Sequence, residues 1–210
     1  QAESLVTKDQ RFVGKTTILG AGYGMGAQKF QNQLKTFGFD MELHEARRVI
    51  QVYRETNSDI KDLWANAQLF LKDGDAFGKK GVLGTEEWDI ILPSGLRLRY
   101  DDLQFTVDDG KYDFDYKTRR GRVRIYGGKV IENVCQAIAR CIIGEQMLQI
   151  AKRYRVVLTV HDSIACCVKD EEVDEAQQYI EECMRTPPEW AEGLPIDCES
   201  GTGKSYGECG

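Results

Sequence analysis

The sequence predicts a mixed α/β (α+β) chain: helices first, antiparallel hairpins next, then a long helix leading into a second α+β segment. Three observations carry that expectation. Apolar residues recur at helical spacing in the first third, from Leu43, Ala46, Val49, Ile50 and Tyr53 to Ile60, Leu63 and Trp64. Between Gly74 and Gly128 the period drops to two: Trp88, Ile90 and Leu92 alternate before Pro93-Ser94-Gly95, and Leu96, Leu98 and Tyr100 alternate after it. From Lys129 the helical period returns over a broad apolar face. These changes of period divide the chain into helices over 1–75, a β-hairpin insert over 76–128, and a closing part over 129–210.

The first element is organised around Arg11 to Gly26, RFVGKTTILGAGYGMG. Arg11, Lys15, Leu19 and Tyr23 follow one another at steps of four, which on a helix makes one slowly winding stripe. Two cations one turn apart repel by about a few tenths of a kcal/mol unless an anion lies between them. A polyphosphate supplies such an anion, and the apolar and aromatic positions beyond suit a flat base; a solvated helix face is the plainer alternative. Gly22, Gly24 and Gly26 then stop the helix. Gly14-Lys15-Thr16 and Gly203-Lys204-Ser205 are not P-loops, because Asp9 and Cys198 stand where that loop needs its first glycine. Gly22-Tyr23-Gly24 with Ala27 has no strand before it, which excludes a dinucleotide fold.

Gln28 to Thr36 resumes a helix, Phe37 to Asp40 turns, and Asn57-Ser58-Asp59 interrupts the helical pair that follows and offers an N-cap. A second hairpin runs from Phe105-Thr106-Val107 through Asp108-Asp109-Gly110 to Tyr112, Phe114 and Tyr116. Arg119, Arg120, Arg122 and Arg124 fit either a strand edge guarded by charge or a set of phosphate contacts. Tyr126-Gly127-Gly128 is expected to break the sheet. The helix over Lys129 to Arg153 then places Ile131, Val134, Cys135, Ile138, Ile142, Met147, Leu148 and Ala151 on one apolar face, with Gln136 among them. A buried Gln there is either a satisfied core group or a functional one. In VVLTVHDSIACCVK, two apolar strands flank His161-Asp162-Ser163. Alone this reads as a polar hairpin turn; three sequential residues cannot face one another as a protease triad requires. Val173 to Met184 is expected as a helix and Leu194 to Glu199 as a strand.

Composition sets the outer bounds. With 210 residues, 41% hydrophobic and 30% charged, the chain fits one or two ordinary globular domains. No run of about 18 apolar residues exists, so no membrane span is expected. The start, QAESLVTKDQ, has no basic leader, no apolar signal core and no initiator Met, which predicts a chain that begins inside a larger polypeptide. Seven cysteines are scattered rather than paired, and Cys135, Cys141, Cys166, Cys167 and Cys183 fall in apolar segments. That predicts buried, reduced thiols in a cytoplasm rather than a disulfide framework or a zinc site. The net charge of −6 is segregated. Lys79, Lys80, Arg97, Arg99, Lys117, Arg119, Arg120, Arg122, Arg124 and Lys129 crowd the middle third, and acids crowd Asp170 to Glu192, so charge argues neither for nor against nucleic acid until it is placed in space.

The Arg11–Lys15–Leu19-Gly20–Tyr23-Gly24 pattern resembles the fingers-helix motif of the family A (DNA polymerase I-like) DNA polymerases. ENVCQAIAR, which holds Gln136, and TVHDS, which holds His161 and Asp162, are similar to two further motifs of that family, and the SGTGKSYG tail is similar to phage-type members. The resemblance runs over nearly all 210 residues and implies a right-hand polymerase fold, helical fingers plus an antiparallel-sheet palm, with the thumb and any exonuclease upstream of this stretch. It implies that Arg11 and Lys15 hold an incoming dNTP, that Lys15 also assists catalysis by protonating the pyrophosphate leaving group, and that Tyr23 sits by the templating base. Gln136 and His161 would contact primer-template DNA, and Asp162 would ligate two catalytic Mg²⁺ (magnesium) ions. Minor-groove acceptors occur in every base pair, so a Gln amide there tests pair shape without reading sequence.

Three departures accompany the match. Leu19 stands where the family usually has Phe or Tyr, which bears on sugar discrimination, and Ser163 replaces the usual Glu. The family's other carboxylate motif is absent, so the second metal-ligand carboxylate is expected from an upstream polymerase portion and the isolated chain is expected not to polymerise. HDS is the commoner form in single-subunit RNA polymerases, which leaves such an enzyme as an alternative, with a catalytically silent DNA-binding remnant as another. The implied setting is the cytoplasm, that of the host for a phage-encoded protein.

Overall fold

α1 (Lys8–Ala21) begins where the side chains allow it to. The Thr7 hydroxyl accepts the Gln10 N–H at 3.2 Å and the Gln10 side chain accepts the Thr7 N–H at 3.0 Å, closing a capping box. The helix buries Thr16, Gly20 and Ala21, and Phe12 stacks on Phe39 with ring centroids 4.8 Å apart. α2 (Ala27–Thr36) adds Phe30 and Leu34, and α3 (Leu43–Thr56) adds Ala46 and Ile50, giving one apolar cluster with Ala21. α4 (Ser58–Asp73) follows at once. The break falls at Asn57 as expected, but its amide closes α3 by donating to the Tyr53 carbonyl at 2.9 Å.

The protein is represented by a computed structural model that describes residues 5–73, 84–86, 89–108 and 110–209. Trp88, Lys79 and Lys80, which figured in the sequence reading, lie outside the described residues.

Two three-stranded antiparallel sheets follow. β1 (Gly84–Glu86), β2 (Asp89–Ile91) and β3 (Arg97–Arg99) lie in that order, with Ile90 opposite Leu98 and the Leu92 N–H donating to the Leu96 carbonyl at 2.8 Å across the turn. β4 (Gln104–Asp108), β5 (Lys111–Thr118) and β6 (Gly121–Ile125) form the second. Its register puts Phe105 opposite Phe114, Phe114 opposite Ile125 and Tyr116 opposite Val123, so one face is apolar and the other carries charge. Tyr100 packs edge-on against both Phe70 and Tyr116, and burial pushes its phenol up to about 12.

α5 (Gly127–Ile150) starts two residues earlier than expected and ends before Arg153. Gly127 and Gly128 do not break structure; they permit close packing. The Gly127 N–H donates to Gln68 Oε1 at 2.7 Å, a Cβ on Gly127 would fall on the Trp64 carbonyl oxygen, and one on Gly128 would lie 2.6 Å from the Tyr23 carbonyl oxygen. Cys135, Leu148 and Ala151 are exposed rather than part of the core face. Gln136 is exposed too; the buried glutamine of this helix is Gln146, whose amide donates to the Met184 carbonyl at 2.6 Å.

β7 (Val156–Val160) and β8 (Ser163–Cys166) pair as a hairpin, and α6 (Val173–Arg185) covers it around Ile150, Tyr154 and Ala176. Leu194–Glu199, expected as a strand, pairs with no strand among the described residues. Pro195 has no N–H to donate, and the run is instead tied to α6 by side chains: Arg185 reaches Asp197 Oδ1 at 2.9 Å and the Cys198 carbonyl at 3.3 Å. Of the cysteines expected to be buried, only Cys141 is; Cys166 and Cys183 are half-buried and Cys167 is exposed. The chain divides into two compact units, one of Gln1–Leu92 with Leu96–Val134, the other of Pro93–Gly95 with Cys135–Gly210. No described helix is long and apolar enough to cross a membrane.

Candidate functional site

Arg11, Lys15, Leu19 and Tyr23 all belong to the first unit. Phe12, Thr16 and Gly20 turn one side of α1 to the core, and one residue back along the helix Arg11, Lys15 and Leu19 are all exposed, Leu19 by 58%. Among the described residues neither Arg11 nor Lys15 has an acidic partner. The repulsion between them is therefore left for an outside anion to relieve.

Tyr23 is placed by the way α1 ends. The helix is assigned to Ala21, so Tyr23 lies in the closing turn rather than within the helix as the stripe predicted. That turn is a Schellman motif. The Met25 N–H donates to the Gly20 carbonyl at 3.2 Å and the Gly24 N–H to the Ala21 carbonyl at 3.1 Å, with Gly24 at φ +84°. Met25 comes back over Gly20, where a Cβ would lie 2.9 Å from its sulfur. Tyr23, in this turn, is half-buried.

The loop is held from outside by groups the sequence reading did not single out. Trp64 Nε1–H donates to the Gly22 carbonyl at 3.0 Å, and the Tyr126 hydroxyl reaches the Tyr23 carbonyl at 3.4 Å. Arg54 Nη2 reaches the Met25 carbonyl at 3.4 Å, and Gly128 packs on the Tyr23 carbonyl itself. Trp64 reads in sequence as one more apolar residue at helical spacing. Its signal was the indole N–H, which needs an acceptor once the ring is covered.

Gln136, His161 and Asp162 belong to the second unit. Val160 and Ser163 are directly paired, so His161-Asp162 is a two-residue turn, and both side chains are exposed. His161 sits at φ +54°, a region that costs a side chain with a Cβ roughly 1 kcal/mol or more and that hairpins usually give to Gly, Asn or Asp. The turn thus sets an imidazole and a carboxylate side by side at the exposed end of the hairpin. Gln136 stands exposed on α5.

Magnesium takes six oxygen ligands in near-octahedral array. Among the described residues no three His, Cys, Asp or Glu side chains are gathered as a metal site needs. Asp162 offers one carboxylate, so the described residues do not by themselves fit a catalytic metal pair.

The fold is similar to part of a solved DNA polymerase domain. The chain is similar in fold to the polymerase domain of Pol1 from M. smegmatis, solved in complex with DNA primer-template and dNTP, with a TM-score of 0.53 over 92% of this chain and 29% of that one, at 19% identity. In sequence it is 27% identical over 209 residues to a DNA polymerase of Bacillus phage SP02, a match covering 89% of this chain and 31% of the phage protein. These matches bear out the resemblance to family A DNA polymerases and the expected mixture of helices and antiparallel sheets. No family model matches the chain. The chain spans about a third of the length of the phage relative.

Proposed function

We propose that this chain is part of a DNA-directed DNA polymerase that transfers a deoxynucleotide from a dNTP to a primer 3′-hydroxyl. The observation that carries the reading is the exposed Arg11–Lys15 pair, one turn apart and without an acidic partner among the described residues, on a helix whose end holds Tyr23 in a braced turn. Arg11 and Lys15 bind the triphosphate, and Lys15 is placed to give a proton to the departing pyrophosphate. Leu19 lies against the sugar with an aliphatic rather than an aromatic surface, and Tyr23 flanks the templating base. In the second unit Gln136 and His161 contact primer-template DNA.

Divalent ions of the two-metal class stabilise the charge that develops in phosphoryl transfer. Asp162 would be this chain's ligand to such an ion, with the remaining ligands supplied from outside the described residues. An upstream polymerase portion is the partner this implies.

The test is binding of a fluorescent dNTP to the purified chain, together with primer extension by the full polymerase. Lys15→Ala and Arg11→Ala each remove a charged contact of about 1.5–3 kcal/mol, so each weakens dNTP binding by about tenfold or more. Asp162→Ala abolishes primer extension by the full polymerase while leaving dNTP binding in the chain. DNA binding with no dNTP binding at all would leave a silent DNA-binding remnant, and a preference for rNTP over dNTP would favour an RNA polymerase.

A further inference from the structure

The β5–β6 hairpin separates its cations into two kinds. On β6, Arg122 and Arg124 are neutralised. Arg124 pairs with Asp113 on β5, and Arg122 pairs with Asp115 while donating to Asp102 Oδ2 at 2.7 Å, to the Asp102 carbonyl at 2.8 Å and to the Asp115 carbonyl at 3.1 Å. At the turn, Arg119 and Arg120 are exposed and have no acidic partner among the described residues. Four arginines that look alike in sequence therefore have two different roles, one of them internal.

The turn is also stiff. The Thr118 hydroxyl donates to the Gly121 carbonyl at 2.7 Å and accepts the Arg120 N–H at 3.2 Å, and Gly121 takes φ +119°, which favours glycine. Below it the Lys117 N–H donates to the Asp101 carbonyl at 2.8 Å, and Arg122 fastens the strand to Asp102 in the turn before β4. Asp102 itself is at φ +49°, and its hydrogen bond to Arg122 holds the carboxyl below its usual range. A flexible loop of cations loses entropy when it meets a polyanion; a braced one has already lost most of it.

We propose that this β5–β6 turn is a nucleic-acid backbone contact, with Arg119 and Arg120 meeting phosphates of the primer-template. The inference rests on the DNA polymerase reading above but uses none of its catalytic residues. Charge complementarity selects the partner: the chain as a whole carries −6, so a polyanion is attracted only where unneutralised cations are concentrated. Guanidinium groups on a turn contact the backbone without reading bases, so the contact is sequence-independent and follows the duplex or the template strand.

The experiment is fluorescence anisotropy of a labelled primer-template against the chain over a series of salt concentrations. Each phosphate contact contributes about 0.9 to the slope of log K against log salt. Arg119→Ala and Arg120→Ala should each flatten that slope by about 0.9, and Arg119→Lys should restore it. Arg124→Ala removes the same formal charge from the same sheet and should leave the slope unchanged, because Asp113 already neutralises that arginine. An equal effect of Arg124→Ala, an unchanged slope in both turn variants, or a defect seen on anionic phospholipid vesicles and not on DNA would overturn the inference. In those cases Lys15-dependent dNTP binding still reports on the polymerase reading separately. No DNA binding by the unaltered chain would sink both.

Discussion

His161, at φ +54°, holds a backbone conformation that asparagine takes more readily. His161→Asn should therefore fold at least as stably, by up to about 1 kcal/mol in urea unfolding, while primer extension by the polymerase carrying it falls. A variant that loses stability and activity together would make the residue structural. Trp64→Phe keeps the ring packing and removes only the N–H that holds the Gly22 carbonyl. It should cost about 1 kcal/mol and speed hydrogen exchange of the Gly22–Met25 amides, leaving the amides of α4 at their former rates. At this scale the sequence was legible where helical spacing sets which side of an element faces out, as at Arg11 and Lys15, both exposed on α1. It was silent where a polar tip meets a carbonyl far along the chain. Nothing local to Trp64, Tyr126 or Gln146 says which carbonyl it will meet, and Gln136 and Gln146 exchange the exposure that helical periodicity suggests for them.

The elements were the more readable level, because both periods are local properties. The two hairpins follow from alternation and turn residues, and α3 and α4 from helical spacing. The errors lie where a long-range contact overrides the local signal. Gly127-Gly128 reads as a break, yet it opens α5 because only glycine lets that helix approach the Trp64 and Tyr23 carbonyls. Gly127→Ala should accordingly cost more than the gain in helix propensity it brings, by about 3 kcal/mol or more in denaturant unfolding; Gly144, a helical glycine whose Cβ would meet nothing within 4 Å, should tolerate the same change. Leu194–Glu199 is expected as a strand, but its bonds run to α6 through Arg185. That attachment is sensitive to acid. Hydrogen bonds from Ser200 and then Arg185 hold the Glu181 carboxyl below its ordinary 4.5, and bonds from Arg185 and the Cys198 N–H hold Asp197 below its ordinary 3.8. Carboxylates lowered by folding contribute fully above their unfolded values and lose that contribution as pH falls through the lowered ones. Amides of 197–201 should thus lose exchange protection on acidification below about pH 4 before α6 itself does, and equal protection at pH 3 and 7 would contradict the attachment.

For the whole molecule, the sequence predicts the thiols of the apolar segments to be buried, and only Cys141 is. An apolar neighbourhood in sequence does not reveal which side of an element meets the core, so Cys167, next to the half-buried Cys166 on the same chain segment, faces outward. Reactivity follows from that division. A thiolate is the species that alkylates, and burial disfavours it: the Cys166 and Cys198 thiols are both pushed up, mainly by desolvation, and Cys141 is buried outright. Iodoacetamide at neutral pH should label the exposed Cys135 and Cys167 first, Cys166 and Cys198 more slowly, and Cys141 only as the second unit unfolds, as read by mass spectrometry of peptides over time. Because access to Cys141 requires opening of its unit, its labelling rate should rise with urea in step with the loss of structure, whereas that of Cys167 should scarcely change. Cys141 reacting at the Cys167 rate in native buffer would mean that α5 does not bury the face assigned to it.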